Sequence, residues 1–356
     1  MAKKHAQRLV DAAAREDPHQ LRELRRLEAE VRRAQAALSL EQRKREQAEA
    51  ELVDSIERES LLLASQGEFA EATIKAVRRK SSAKHPTVPI ICATDWHAEA
   101  TVERAVVNNL NEYNLAIFRQ RVAKLWEKSC YLIDLWRTVS DVRDAVLWLG
   151  GDLISGSIHP ELEESNQLGP MQAIVEIQQQ VAAGIEYLLA NSGVERLLVV
   201  TSNGNHGRIT QKPRIATNYR HSLEWLAYNN LAARFATDRR VTVNVGVGYH
   251  TYVDIFRHVV RFHHGDSIRY HGGVGGITIP TTKAIAQWNR SRKADLDVFG
   301  HYHQFLDTWN WVACSSLIGV DAYAISIKCD FQPPSQTIIF INEQHGKVGA
   351  LPIFVE

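Results

Sequence analysis

From Thr87 onward the chain alternates short apolar runs with longer amphipathic stretches. The runs are VPIICATD, DAVLWLGGD, ERLLVVTSNGN, VVRFHHGD and LDVFGHYH, and each closes on polar residues. They are too short for helices and rich in β-branched and aromatic side chains, so they predict strands. Between the early runs, Leu115 to Trp136, Met171 to Leu189 and Tyr219 to Phe235 read as helices. Strand–helix alternation of this kind predicts a layered α/β domain with a central sheet over residues 87–356. After His303 strands and turns dominate, which is compatible with a second sheet or with antiparallel completion of the first.

The texture upstream is different. Residues 1–66 mix acids and bases densely and are rich in Ala, Leu, Glu, Arg and Gln, all strong helix formers. Leu24, Val31, Leu38 and Leu52 share one heptad position, interrupted by Arg45, and Leu27 and Ala34 fill the companion position. This predicts a charged helical extension with a narrow apolar seam, suited to a coiled coil or a docked helix. Through that seam the chain is expected to form a homo-oligomer. Residues 67–86, with VRRKSSAKHP, read as a polar, basic linker stopped by proline.

Composition then narrows the classes. Lys and Arg total 42 against 41 Asp and Glu, a net charge of +1, which excludes a globally basic coat protein but not a local basic groove. With 45% apolar residues the chain has enough to build a core. Its four cysteines are widely separated and form no CxxC pair, so neither a disulfide scaffold nor a thiolate zinc site is expected. Nothing approaches a membrane-spanning run or a signal-peptide core, so a cytoplasmic location and no membrane partner are expected.

What closes the apolar runs carries the chemistry. They end in Asp95-Trp-His97, Gly151-Asp152, Asn205-His206, His264-Gly and Gly300-His301-Tyr-His303. Ligands of open α/β sheets bind beyond the carboxyl ends of strands, and each of these ends offers an oxygen or an imidazole. If the backbone stays extended, residues two apart share a face, so Asp95 with His97 and His301 with His303 would each aim at one point. Carboxylate, amide and imidazole donors without thiolate suit Mn2+, Fe or Zn2+.

The ordered set DxH, GD, GNH, H and GHxH resembles the calcineurin-like metallophosphoesterase family, over Thr87 to about Ser316. The resemblance implies a four-layer α/β/β/α sandwich and a two-metal centre, Mn2+ being the first expectation. It implies Asp95, His97, Asp152 and His303 around one metal, with Asp152 bridging to a second held by Asn205, His264 and His301. His206 would face the scissile phosphate, so His206 and Asp152 are the catalytic candidates. His263 competes with His264 for the fourth block, and His264 is preferred because it directly precedes glycine. Protein phosphatases of the family carry an arginine after the bridging aspartate and an acid after GNH; GGDLISG and Gly207-Arg208 depart from both. This leaves open what orients His206, with Arg208 a candidate for that role or for binding phosphate.

Fold and metals do not choose a substrate. Basic residues interleaved with aromatics, namely Arg208, Arg214, Arg269 and Tyr270, are the substrate-binding candidates and point toward a polyanion with stackable bases. The expected activity is therefore a DNA nuclease, resembling the DNA-repair and phage exonuclease branch. Alternatives are a phosphomonoesterase, a cyclic-nucleotide phosphodiesterase, or an adaptor whose site is vestigial. No GxxxxGK[ST] is present, so any ATP-driven step would come from another chain.

Overall fold

The computed structural model describes residues 85–269 and 275–356, together with scattered helical positions between 22 and 47. The chain divides into two compact units, Met1–Lys80 and Ser81–Glu356. In the first, the described positions are helical, and Arg26 pairs with Glu30 one turn on, at 3.2 Å. Of the predicted seam, Leu27, Val31, Ala34 and Leu38 are helical and exposed. Leu24, Arg45, Leu52 and all of the predicted linker before His85 lie outside the described residues.

The second unit opens with β1 (Thr87–Ala93), α1 (Leu115–Arg137), β2 (Asp144–Leu149), α2 (Pro160–Ser165), α3 (Pro170–Asn191) and β3 (Arg196–Thr201). It continues with α4 (Leu223–Arg234), β4 (Val241–Asn244), β5 (Thr251–Ile255), β6 (His258–Phe262), α5 (Thr278–Trp288) and β7 (Leu296–Phe299). The remainder is β8 (Leu306–Asp307), β9 (Trp311–Ala313), α6 (Ala322–Ser326), β10 (Ser335–Asn342) and β11 (Gly346–Phe354). Two sheets result, ordered β11-β10-β1-β2-β3-β4 and β5-β6-β7-β9-β8. Both expectations for the C-terminal part apply to different strands. β8 and β9 belong to the second sheet, while β10 pairs antiparallel with β1 and carries β11 on its far side.

The continuous apolar runs are continuous because both faces of each strand are buried. On β1, Ile91 and Ala93 face the helical layer while Ile90 and Cys92 face the other sheet. β2 alternates in the same way, with Ala145, Leu147 and Leu149 toward helices and Val146 and Trp148 inward. Phe262, Val298, Val312 and Cys314 of the second sheet meet that inner layer. Outside the first sheet, α1 buries Phe118, Val122, Leu125, Trp126 and Ile133, one stripe at helical spacing. Its start is set by Asn114, whose side chain accepts the N–H groups of Ala116 and Ile117 at 3.0 Å. Beyond the second sheet, Ile277 and Ile285 pack on Phe299 and Trp311. The layers are therefore α/β/β/α.

This order positions the site. β1, β2 and β3 are parallel neighbours in one sheet, and β6, β7 and β9 are parallel neighbours in the other. The polar loops after β1, β2, β3, β6 and β7 consequently gather where the carboxyl ends of the two sheets meet.

A buried ion pair sits inside the second sheet, where Arg261 and Asp297 are register partners on β6 and β7. Their side chains are almost wholly buried, and the guanidinium donates twice to the carboxylate, at 2.6 and 2.9 Å. Removing one partner strands the other's charge, so Asp297→Ala is expected to cost about 3–5 kcal/mol in urea unfolding. A loss below about 1 kcal/mol would show that Arg261 finds a substitute partner or water.

Candidate metal centre

Five loops deliver two groups of donors. Asp95, His97 and His303 form one, Asp152, His264 and His301 the other; within each group the ligand atoms lie within 4.8 Å of one another. Asn205 joins the second through its Oδ1, 3.2 Å from His264 Nε2. The histidines of the GHxH block thus part company, although two residues apart. The extended-backbone expectation for His301 and His303 does not hold: both have positive φ, as do Asp95 and His97, which share a group nonetheless. Among the described residues nine non-glycine positions have positive φ, and five of them are Asp95, His97, Asp152, His301 and His303. Left-handed backbone turns successive side chains away from the strand alternation, at a cost of about 1–3 kcal/mol per residue. The bent loops are laced together by main-chain bonds: Asp95 N–H to Gly151 O at 3.0 Å, His97 N–H to Asp152 O at 3.1 Å and Ala98 N–H to Leu153 O at 3.0 Å.

Close approach explains two of the glycines. A methyl group at Gly300 would collide with Asp95 Oδ2, and one at Gly204 with Asp152 Oδ1. Those carboxylates instead accept main-chain N–H groups, Asp95 from His301 at 3.0 and 3.1 Å and Asp152 from His206 at 2.7 Å.

Charge in the metal-free chain is settled by imidazoles. Burial alone would raise the Asp152 carboxyl, but His264, His206 and His97 hold it well below the usual range. Burial likewise opposes charge on His264, yet the Asp152 carboxylate at 2.9 Å lifts its imidazole well above the ordinary value. In the other group burial and the neighbouring His206 and His303 push His97 well down, while the bond to Asp95 raises His303. His97 Nε2 stands 3.3 Å from His303 Nε2, which is itself 3.5 Å from Asp95 Oδ1. Ring lone pairs and carboxylate oxygens thus converge in both groups.

That convergence is the test of whether divalent cations fit, and the residues pass it. His264 donates Nδ1–H to Gly150 O at 2.8 Å, which turns Nε2 toward Asp152 and Asn205 as a metal-ligating histidine requires. The donor set is oxygen and imidazole without thiolate, which suits hard or borderline metals. His263, the competitor for this position, points the other way, with Nε2 3.5 Å from Asp297.

Searches of protein-family models and of curated proteins find no match to this chain. Among solved structures it is similar to Vps29 from Entamoeba histolytica complexed with Zn2+, with TM-score 0.30, 11% identity, 76% of this chain and 100% of that one. A predicted phosphoesterase from Streptococcus pneumoniae TIGR4 gives 0.28, 10% identity, and 75% and 98% coverage. A hypothetical protein from Pyrococcus horikoshii OT3 gives 0.37, 10% identity, and 76% and 89% coverage. Likenesses at these scores carry no argument; the fold rests on the strand order and core layers, and the site on its donors.

His206 stands beside both groups. Its ring meets that of His97 edge-on at 4.8 Å, and its Nδ1 donates to Ser155 O at 2.9 Å. A main-chain carbonyl thus orients His206. Arg208 does not take that role, because its guanidinium donates to Asn205 O at 2.5 Å and Thr210 O at 3.1 Å. Arg214 and Arg269 are exposed, and Tyr270 lies outside the described residues. A cavity of about 390 Å3 between Arg104, α1 and Glu356 is lined by none of the donors.

Two buried side chains that no motif signals complete the loops. Gln336 on β10 accepts Thr94 N–H and Trp96 Nε1–H, both at 2.9 Å, and donates to Thr94 O. Glu224 accepts Leu153 N–H at 2.7 Å and Gly204 N–H at 2.8 Å. Burial, with the Asp152 charge adding, raises Glu224 from 4.5 to about 8. A raised carboxyl pKa means the folded chain holds the proton more tightly than the unfolded one. Its contribution to stability is present below about pH 4 and lost as pH rises toward 8. In EDTA-treated protein, urea-unfolding free energy is expected to fall between pH 5 and 8, and Glu224→Gln to flatten that fall. Parallel profiles for the two proteins would contradict the assignment.

Proposed function

We propose that the chain is a metal-dependent phosphoesterase that cleaves phosphodiesters, with DNA as its substrate. The observation that carries this is the pairing of two buried donor groups with an oriented, half-buried His206 beside them. Asp95, His97 and His303 would hold one divalent ion and Asp152, Asn205, His264 and His301 the other, Mn2+ first and Fe or Zn2+ as alternatives. Such cations polarise a phosphoryl oxygen and lower the pKa of water at neutral pH. The chain's own residues do the rest. With Nδ1 committed to Ser155, His206 gives or takes a proton only at Nε2, which suits it to the leaving oxygen of the ester. Asp152, held between His264 and the His206 main chain, keeps the two donor groups in register.

The DNA assignment draws on basic side chains of the loop that follows His206. Lys212, Arg214 and Arg220 are exposed there, and a phosphate backbone is bound by such cations. Phosphomonoesterase or cyclic-nucleotide chemistry uses the same centre and is separated by substrate. An adaptor with a vestigial site is disfavoured because every donor position is filled. Oligomerisation through residues 1–66 is a further part of the proposal, and deleting them should abolish assembly while sparing hydrolysis.

The test is Mn2+-dependent digestion of end-labelled and circular DNA, beside a generic diester and its monoester. Cleavage of DNA, and of the diester faster than the monoester, is expected. Intact DNA with a preference for the monoester would sink the nuclease assignment. His206→Ala is expected to lower cleavage about 10²–10⁴-fold while Mn2+ uptake persists. Asp152→Asn is expected to lose both, and unchanged activity in the two variants would overturn the mechanism.

A further inference from the structure

We infer that Glu224 is a positioning residue that sets the donor geometry of the Asp152, Asn205, His264 and His301 group. The inference rests on the metal-centre reading above and concerns a residue that touches neither metal nor substrate. Glu224 is the second residue of α4, and its side chain is completely buried. Acids are common in first turns, where they favour the helix dipole. Here, however, the carboxyl group is spent outside its own helix. One oxygen accepts the N–H that follows Asp152 and the other the N–H that precedes Asn205, at 2.7 and 2.8 Å. A single rigid, planar group therefore fixes the separation of two ligand-bearing loops.

The helix that carries it is sewn to the same place. Leu223 N–H donates to Gly207 O at 2.8 Å, and Ser222 caps the helix by accepting Trp225 N–H. Gly207 packs so tightly on the glutamate that an added Cβ would lie 2.7 Å from its Cγ. The chemistry requires two side-chain oxygens, which a carboxyl group presents in either protonation state. Both partners are donors, so both side-chain oxygens must accept, and glutamine would turn an NH2 group against one of them. The other donor group has its own brace in Gln336, bonded at Thr94 and Trp96 on either side of Asp95. Damage at Glu224 should for that reason be selective.

The experiment is calorimetric titration of Mn2+ alone into the metal-free full chain, with circular dichroism and thermal melting as controls for folding. Wild type is expected to take up two equivalents. Glu224→Gln is expected to keep one at wild-type affinity and to bind the other about 10–100-fold more weakly. The weakened equivalent should be the one that His264→Ala removes. Should Glu224→Gln fail to fold, Gly207→Ala, whose methyl presses on the Glu224 side chain, is expected to show the same selective loss. Two equivalents unchanged, or both weakened by the same factor, overturn the role of Glu224 and leave the metal centre standing. A wild-type chain that takes up no Mn2+ overturns the metal centre itself and this role with it.

Discussion

Two carboxylates, Asp95 and Asp152, are buried where the ends of the two sheets meet, and among the described residues no lysine or arginine forms an ion pair with either. Burying an unpaired carboxylate costs several kcal/mol, so the surroundings must supply compensation. They do so with imidazoles and main-chain N–H groups, donors that a divalent cation can replace or complement. Much else in the second unit follows from that demand. The ligand loops are bent into left-handed backbone, glycines let main chain approach the carboxylates, and buried polar side chains lock each loop.

The two-sheet architecture makes this arrangement affordable. Parallel strands in both sheets present their carboxyl ends on one side, so five loops reach one place without long connections. The inner layer around Trp148 and Phe262 holds the sheets at fixed separation, and the strained loops are carried on this rigid base. Packing stability, in other words, offsets local strain at the site. The bracing is divided between elements. β10, added antiparallel at the end of the chain, contributes Gln336 to the first donor group, and α4 contributes Glu224 to the second. The C-terminal strands therefore do more than complete a sheet.

The surface around the centre is consistent with an open approach. Asn205, His206 and His303 are only partly buried, whereas Asp95, Asp152 and His264 are inaccessible. Of these, His206 would meet a substrate from the partly open side, while the donors, deeply and partly buried alike, would hold the ions. The loop after His206 carries exposed cations. Arg208 belongs to this loop too, but its guanidinium folds back onto the loop's own carbonyls and stiffens it.

Which residues converge at the strand ends was legible in the chain itself. Each candidate donor closes an apolar run, and a run-then-polar boundary is a local property that strand periodicity exposes. The helices at 115–137, 170–191 and 223–234 were legible for the same reason, within a few residues at each end. How the donors divide between two groups was not. His301 and His303 look like a pair by spacing, yet their loop delivers them to different groups. Nor could Glu224, Gln336 or Ser155 be found, because a glutamate in a first helical turn or a glutamine in a strand has no distinguishing pattern. Their roles exist only through partners some 70, 240 and 50 positions away, as with Leu153, Thr94 and His206. Sequence alone thus determined the layers and the donor inventory, both of which follow from short-range periodicity. Tertiary structure decided which donors face which, because that depends on backbone bends and on contacts between loops distant along the chain.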